Sequence, residues 1–323
     1  MIDNISFNKL LTEKYSLLKT ITKKYNYSDE LLNMLTFIYM SFYIDFGPKC
    51  DQPLCDLFNN VKIIYETGTL NEVAQKNNFG HVPQGSVAVT ISTTNLNAFT
   101  TNNSTKNSKT ILLATQIERK SASPLLKLEM LLHEVRHILM SYFNTNILLD
   151  ENTYYIRSGL QETYLKKGNG ITSMFSLETI GRTLDETTNT YITELLINRI
   201  ISFQKYNIEN QSLKSYLNSI KSNDQYKSLG YKHEVELVSP LLTNQTFINT
   251  INMHEFDGEI SIVKNLFENN TDICNYKDFC NLLDDIYKDN RKHKLENNTN
   301  INKLKAIVLD IKNNLESHPQ RKR

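Results

Sequence analysis

One segment of the chain, His133-Glu134-Val135-Arg136-His137, has the residue types and the spacing of a metal site. In an α-helix, residues four positions apart leave the same face, so the two imidazoles can bind one ion. Glu134 lies on the flank of that face, where a carboxylate can reach a metal-bound water without binding the metal itself. The pattern therefore predicts a zinc site on a helix.

The histidine pattern is rare in a chain with so few histidines. Seven His occur in 323 residues, and this arrangement arises by chance in about one such chain in a hundred, the false-positive risk of any short motif. Two other His-Glu pairs, at His233 and His254, have no His three positions after the Glu. The alternative, two histidines hydrogen-bonded in a polar helix interface, stays open.

A catalytic zinc site also needs a third protein ligand and an open position for water or substrate. One class of sites uses a third His six residues after the second, but this chain has Phe143 there. The other class uses a Glu from a downstream helix. Glu186, at the start of a helix predicted from near Asp185 to about Phe203, is the candidate.

These two elements resemble the active site of the gluzincin division of zinc metallopeptidases, in which H-E-x-x-H is followed by a helix beginning with a ligand Glu. Over residues 125–290 the chain is also similar to bacterial H-E-x-x-H proteins of poorly defined function. The residues that carry this second likeness are Arg157-Ser158-Gly159-Leu160, Leu184-Asp185-Glu186 with Thr193-Glu194, and Gly230-Tyr231 with Val235 and Leu237.

The resemblance implies that His133, His137 and Glu186 bind Zn²⁺ and that Glu134 is the general base. It implies a hydrolase, a metalloprotease that cleaves a peptide or protein substrate through a zinc-activated water. Two alternatives are a catalytically silent interaction protein on a zincin scaffold and an effector or toxin protease with one narrow protein target. Endo- or exopeptidase action and the oligomeric state are left open.

One position departs from the thermolysin-like pattern. There, a carboxylate four residues after the ligand Glu often orients a histidine, but this chain has Thr190. Asp185, Glu194, another residue or a backbone carbonyl is left for that role.

Further side chains are candidates for contacts to the substrate. Arg136 either binds a carboxylate of the substrate or a nearby acid, or extends to solvent or to a surface acid. Tyr231 and His233, together with Tyr154 and Tyr155, are candidates for stabilising the oxyanion, although each residue type more often packs in a core.

The elements that must position these residues follow from caps and periodicity. Ser123-Pro124 predicts the start of the H-E-x-x-H helix, because Ser is a good N-cap and Pro fits the first helical position. Residues 86–91 and 110–115 are rich in β-branched side chains and predict two strands, with a long connection between them. Residues 111–115 are a candidate sheet edge for an extended peptide.

The predicted fold class is α+β and predominantly helical. It comprises a zincin-like core with a small β-sheet or hairpin, the H-E-x-x-H helix, a second helix with the ligand Glu, and a helical C-terminal region. The predicted segments are 1–79, N-terminal and helical; 80–210, the metal-site core; and 211–323, helical. These boundaries are open, and the chain could be one compact unit.

Composition excludes several classes of protein. Lys and Arg number 36 against 35 Asp and Glu, a net charge of +1, which disfavours nucleic-acid binding. Ten Gly and six Pro argue against an all-β sandwich. Polar residues interrupt the most apolar stretch, 31–46, which predicts a buried helix and no membrane span.

The first residues lack the apolar run of a signal peptide, so the cytoplasm is the default expectation and export by another route stays open. The spacings of Cys50/Cys55 and Cys274/Cys280 match neither zinc knuckles nor a disulfide framework, which predicts structural thiols. A disulfide within either pair stays open if the protein is exported.

Overall fold

The computed structural model describes residues 2–82, 86–93, 108–117, 120–140, 145–149, 153–167, 174–220, 231–257, 260–291 and 298–317. The chain forms two compact units. Unit 1 comprises 1–94, 107–139 and 192–227, and unit 2 comprises 95–106, 140–191 and 228–323. The division into 1–79, 80–210 and 211–323 stays a prediction.

Helices dominate and small sheets accompany them, so the α+β, predominantly helical class is confirmed. In chain order the elements are α1 (Asn4–Ile21), α2 (Asp29–Phe46), α3 (Asp51–Asn60), β1 (Lys62–Thr69), α4 (Leu70–Lys76), β2 (Ala88–Thr93), β3 (Ser108–Ile117), β4 (Lys120–Ser121), α5 (Pro124–Met140), β5 (Thr145–Leu148), β6 (Thr153–Ser158), β7 (Gln161–Lys167), β8 (Met174–Ile180), α6 (Arg182–Ser202), α7 (Gln211–Ser219), α8 (Lys232–Leu242), α9 (Gln245–Asp257), α10 (Ile260–Asn270), α11 (Tyr276–Arg291) and α12 (Asn298–Ser317). Short 3₁₀ helices cover Lys23–Tyr25, Gly47–Cys50 and Phe203–Lys205.

Helix α2 lies in the core of unit 1. Its N-cap is Ser28, whose hydroxyl accepts a hydrogen bond from the Leu31 N–H at 3.3 Å. Every side chain from Leu31 to Phe42 is buried, which confirms the buried helix predicted from the apolar stretch. No helix in the described part of the chain is both long enough and apolar enough to cross a membrane.

The sheet of unit 1 has the order β1-β3-β2, with β4 paired to the end of β3. Strands β2 and β3 pair antiparallel and confirm the two predicted strands; residues 94–107 between them lie outside the described residues. Strand β1, which was not predicted, pairs parallel with the other side of β3. The expectation that 111–115 forms a sheet edge is therefore wrong, since β3 has a neighbour on both sides.

Helix α5 begins as predicted. The Ser123 hydroxyl accepts a hydrogen bond from the Leu126 N–H at 3.2 Å, and Pro124 is the first helical residue. Five apolar residues that recur at the helical repeat are all buried. They are Leu125, Leu128, Leu132, Val135 and Leu139.

A polar cluster holds the first turns of α5 in unit 1. The Lys127 ammonium donates to Glu30 Oε1 at 2.5 Å and to the Tyr65 hydroxyl at 2.8 Å. The Tyr65 hydroxyl in turn donates to Glu30 Oε2 at 2.8 Å. Side chains from α2, β1 and α5 thus form a closed triangle, which restricts rotation of α5 more than a single surface ion pair would.

Unit 2 contains the antiparallel sheet β5-β6-β7-β8, in which consecutive strands are neighbours. The turn between β6 and β7 is Gly159-Leu160, and Gly159 has φ +61°, the left-handed region that favours glycine. The helices from α8 onward confirm the predicted helical C-terminal region. In α12 the apolar residues that recur at the helical repeat are all buried, namely Leu304, Ile307, Val308, Ile311 and Leu315.

All four cysteines are free thiols. Burial raises the pKa of Cys50 to about 12, and that of Cys280 still further. Thiols of this kind are poorly reactive because the thiolate is the nucleophile and the metal ligand. This burial supports the prediction of structural thiols for Cys50 and Cys280, whereas Cys55 and Cys274 are partly exposed.

One side chain of α5, Glu129, is buried at a high energetic cost. It is 1% exposed, and neither carboxylate oxygen has a hydrogen-bond partner within the described residues. Burial, and secondarily the negative charge of Glu194, raise the pKa of Glu129 to about 9. The acid therefore stays protonated at neutral pH.

We expect Glu129→Gln to change how stability depends on pH. Between 4.5, the ordinary pKa of a Glu carboxyl, and about 9, the unfolded chain loses this proton while the folded chain keeps it. The free energy of unfolding therefore falls as pH rises through this window, by about 1.4 kcal/mol per pH unit. The variant lacks this loss, so its stability relative to wild type should increase steadily from pH 5 to pH 8.

Urea unfolding at each pH measures this difference, with Glu13→Gln at an exposed position of α1 as the matched control. The control should follow the wild type at every pH. A difference between Glu129→Gln and wild type that did not change between pH 5 and pH 8 would show that Glu129 is ionised in the folded protein.

Candidate metal centre

Helix α5 brings the two predicted histidine ligands together. His133 Nε2 and His137 Nε2 are 3.0 Å apart, and the rings meet edge to face at 84° with centroids 4.6 Å apart. Two nitrogens bound to one tetrahedral zinc at about 2.1 Å would be separated by about 3.4 Å. A shift of a few tenths of an ångström thus converts the observed geometry to that of a shared ion.

Glu186 completes a group of three donors. One carboxylate oxygen of Glu186 and one ring nitrogen each from His133 and His137 all lie within 4.8 Å of one another. Two imidazoles and a carboxylate are a donor set that suits zinc. All three side chains are partly exposed, so water or a substrate can approach the group. The residues present fit a zinc ion, and its binding stays a prediction.

Glu186 lies in the second turn of its helix. Helix α6 begins at Arg182 and not near Asp185, as the sequence had predicted. The earlier start has a tertiary cause, because the Thr183 N–H, one of the free donors of the first turn, donates to Asp284 Oδ1 of α11 at 3.1 Å. Capping from α11 extends the helix beyond the limit that local sequence suggests.

Two charged residues lie between the histidines in the chain. Glu134, the predicted general base, is 8% exposed and so is partly removed from water on the same helix as both histidines. Arg136 is 0% exposed, and the interpretation in which its side chain extends to solvent is wrong. A buried guanidinium requires acceptors within the protein, so Arg136 is held internally.

Tyr231 lies within electrostatic range of the candidate ligand Glu186. Tyr231 directly precedes α8, and its ring stacks on Tyr287 with centroids 4.8 Å apart. Burial raises the pKa of the Tyr231 hydroxyl, and the negative charge of Glu186 raises it further. In the metal-free protein the Tyr231 hydroxyl therefore stays protonated at neutral pH.

His233 in the first turn of α8 has a buried Nε2 atom, which has no hydrogen-bond partner among the residues described. A buried polar atom without a partner is costly and is one feature of functional sites. Of the other oxyanion candidates, Tyr155 donates its hydroxyl to Glu162 Oε1 at 2.6 Å, an oxygen that Lys264 also binds at 2.9 Å. The Tyr155 hydroxyl is thus already hydrogen-bonded to the Glu162–Lys264 ion pair. Tyr154 is the neighbouring residue of β6.

Thr190 is buried on α6, so this position offers only a hydroxyl where the thermolysin-like pattern has a carboxylate. Glu194, one of the residues left for that role, is exposed and acts electrostatically on Glu129.

Sequence reasoning missed the buried acid Glu129 and the two α11 residues Asp284 and Tyr287. Helical periodicity does identify the buried face of α11, but it gives no indication of the contacts that Asp284 and Tyr287 make with Thr183 and Tyr231, far earlier in the chain.

Nothing matches this chain among protein-family models, curated proteins or solved structures. The likeness to gluzincins therefore depends only on the motif, the donor group and the residues around them.

We expect the protein to bind one zinc ion per chain. Zinc at about a hundred times its dissociation constant should stabilise the folded state by about 2.7 kcal/mol, because it binds the assembled donors and not the unfolded chain. His133→Ala, His137→Ala and Glu186→Ala should each weaken binding, since each removes a ligand. Competition with a chromophoric chelator measures affinity and stoichiometry.

The matched control is His81→Ala, at an exposed histidine in the segment after α4, which should bind zinc as the wild type does. Equal affinities for the wild type and all three ligand variants would place the zinc elsewhere.

Proposed function

We propose that this protein is a zinc-dependent peptidase of the gluzincin type, with His133, His137 and Glu186 as the zinc ligands in a zincin-like core. The observation that carries this proposal is the convergence of these three donors within 4.8 Å while all stay partly exposed. Structural zinc sites use four protein ligands and are closed, whereas three ligands with an accessible position are typical of catalytic zinc.

Zinc bound here would supply a Lewis acid that polarises the scissile carbonyl and acidifies water. The chain itself supplies the proton transfers. Glu134, next to His133 and only 8% exposed, takes the proton of the attacking water and delivers it to the leaving amine. The partial burial of Glu134 supports this role, because a carboxylate with little hydration is a more effective base.

Negative charge develops on the carbonyl oxygen during attack and needs hydrogen-bond donors. Tyr231 fits this need, because burial keeps its hydroxyl protonated beside Glu186. His233 offers a buried ring nitrogen without a partner among the described residues. Both are proposed to donate hydrogen bonds to the oxyanion of a peptide or protein substrate.

We expect Glu134→Gln to separate zinc binding from catalysis. The amide is isosteric with the carboxylate but cannot accept the proton, so peptide hydrolysis should fall by about 10² to 10⁴-fold. Zinc content should stay at one equivalent, because Glu134 is not a ligand. Elemental analysis and cleavage of a mixed peptide library, followed by mass spectrometry, measure the two properties on the same preparation.

Glu268→Gln, at an exposed position of α10, is the matched control and should keep full activity. Full hydrolysis by Glu134→Gln with its zinc bound would disprove the role of Glu134. A wild-type protein that binds zinc but cleaves no member of the library or of a whole proteome would favour a silent zincin scaffold. Cleavage of one protein alone would identify a protease with a narrow target.

A further inference from the structure

The turn between β6 and β7 is bonded to the start of α6 through one residue. The Leu160 N–H donates to Asp185 Oδ1 at 2.8 Å, and the Leu160 carbonyl accepts a hydrogen bond from the Tyr276 hydroxyl at 2.9 Å. Both polar backbone groups of one residue are thus used for tertiary contacts. We call this arrangement of Leu160, Asp185 and Tyr276 the Leu160 latch.

The latch is shielded from water. Leu160 and Tyr276 are buried, and Asp185 is 7% exposed. Hydrogen bonds in such surroundings are costly to break, because each separated group would stay unsatisfied in a region that water does not enter. The carboxylate of Asp185 is an ionisable acceptor, which makes its bond to the Leu160 N–H stronger than a neutral one.

Two glycines allow this close approach. A Cβ atom on Gly159 would lie 2.5 Å from Asp185 Oδ1, and a Cβ atom on Gly181 would collide with the Leu160 carbonyl oxygen. Both residues also have positive φ, +61° and +80°. The turn and the helix start therefore meet more closely than any side chain on either glycine would permit.

The Leu160 latch holds α6 at Asp185, the residue directly before the candidate zinc ligand Glu186. Asp185 and Glu186 are consecutive residues of α6, so their side chains leave the helix about 100° apart and turn together with it. The bond from Thr183 to Asp284 at 3.1 Å holds the same turn from another side. Rotation and translation of this turn are thereby restricted by β6–β7 and by α11.

We propose that Asp185 is a positioning residue for the metal centre, which holds the first turns of α6 on Leu160 so that the Glu186 carboxylate is directed at the zinc position. This role rests on the proposed function. Metal ligands must be placed to within about 0.2 Å of their bonding distance, and groups that hold a ligand typically change metal affinity by about 10 to 100-fold when removed.

The test compares Asp185→Ala with Asp185→Asn in the full chain. The alanine variant loses the acceptor for the Leu160 N–H, and its zinc affinity should fall by about 10 to 100-fold. The asparagine variant keeps an oxygen at the same position, so it should recover most of that loss. With Co²⁺ in place of zinc, the visible absorption bands should change in Asp185→Ala and stay close to wild type in Asp185→Asn.

The matched control is Asp310→Ala in α12, which removes a carboxylate that accepts a hydrogen bond from Thr271 at 2.7 Å in the same unit. It should lower the thermal stability of the zinc-free protein without changing zinc affinity or the cobalt spectrum. If Asp185→Ala behaved in that way too, Asp185 would have a structural role only, and this proposal would be wrong while the proposed function stood. If the wild type bound no zinc, both would be wrong.

Discussion

The candidate site depends on one geometric constraint, that three donor atoms converge on a single point. An α-helix satisfies two thirds of it by itself, because its repeat places His133 and His137 on one face with their Nε2 atoms 3.0 Å apart. In the gluzincin pattern the third donor is not on the helix that carries the two histidines. The third donor must come from an element whose rotation is set by other contacts, and Glu186 on α6 meets that requirement. The contacts that hold its first turns thus matter as much as the ligand itself.

Helices α5 and α6 bury far more polar material than a helix in a simple apolar core. Glu129, Glu134 and Arg136 are all within the interior on α5. On α6, three consecutive polar residues are fully buried, Thr187, Thr188 and Asn189. Burying such groups opposes folding unless each is paired, and Glu129 has no hydrogen-bond partner within the described chain. In natural proteins, residues that lower stability are concentrated at functional sites. Here many buried polar residues lie on α5 and α6, the two helices that carry the donors.

Sequence reasoning succeeded where the cause of structure is local. The Ser123-Pro124 cap, the apolar stretch of α2 and the β-branched runs of β2 and β3 are each local features, and each was predicted. Glu186 was chosen by a chemical requirement, the need for a third ligand, and the structure brings it near the two histidines. Strand β1 was missed because its short run of Ile and Tyr lies in a region with helical patterns. The sheet β5–β8 was missed because its strands are short and their apolar residues do not alternate regularly with polar ones. The burial of Arg136 and the capping of α6 by Asp284 depend on distant segments, which no local pattern reveals.

The exposure of the donor group argues for chemistry rather than for structural support. A metal that only stabilises a fold gains from complete enclosure by protein ligands, since each open position lets water compete for it. Here three partly exposed donors leave access to the group, and burial favours the neutral form of the Tyr231 hydroxyl. A neutral hydroxyl such as that of Tyr231 contributes little to holding a metal, because it carries no negative charge to attract the ion. Such a donor has value when negative charge forms on a substrate oxygen, which is the step that the proposed hydrolysis requires.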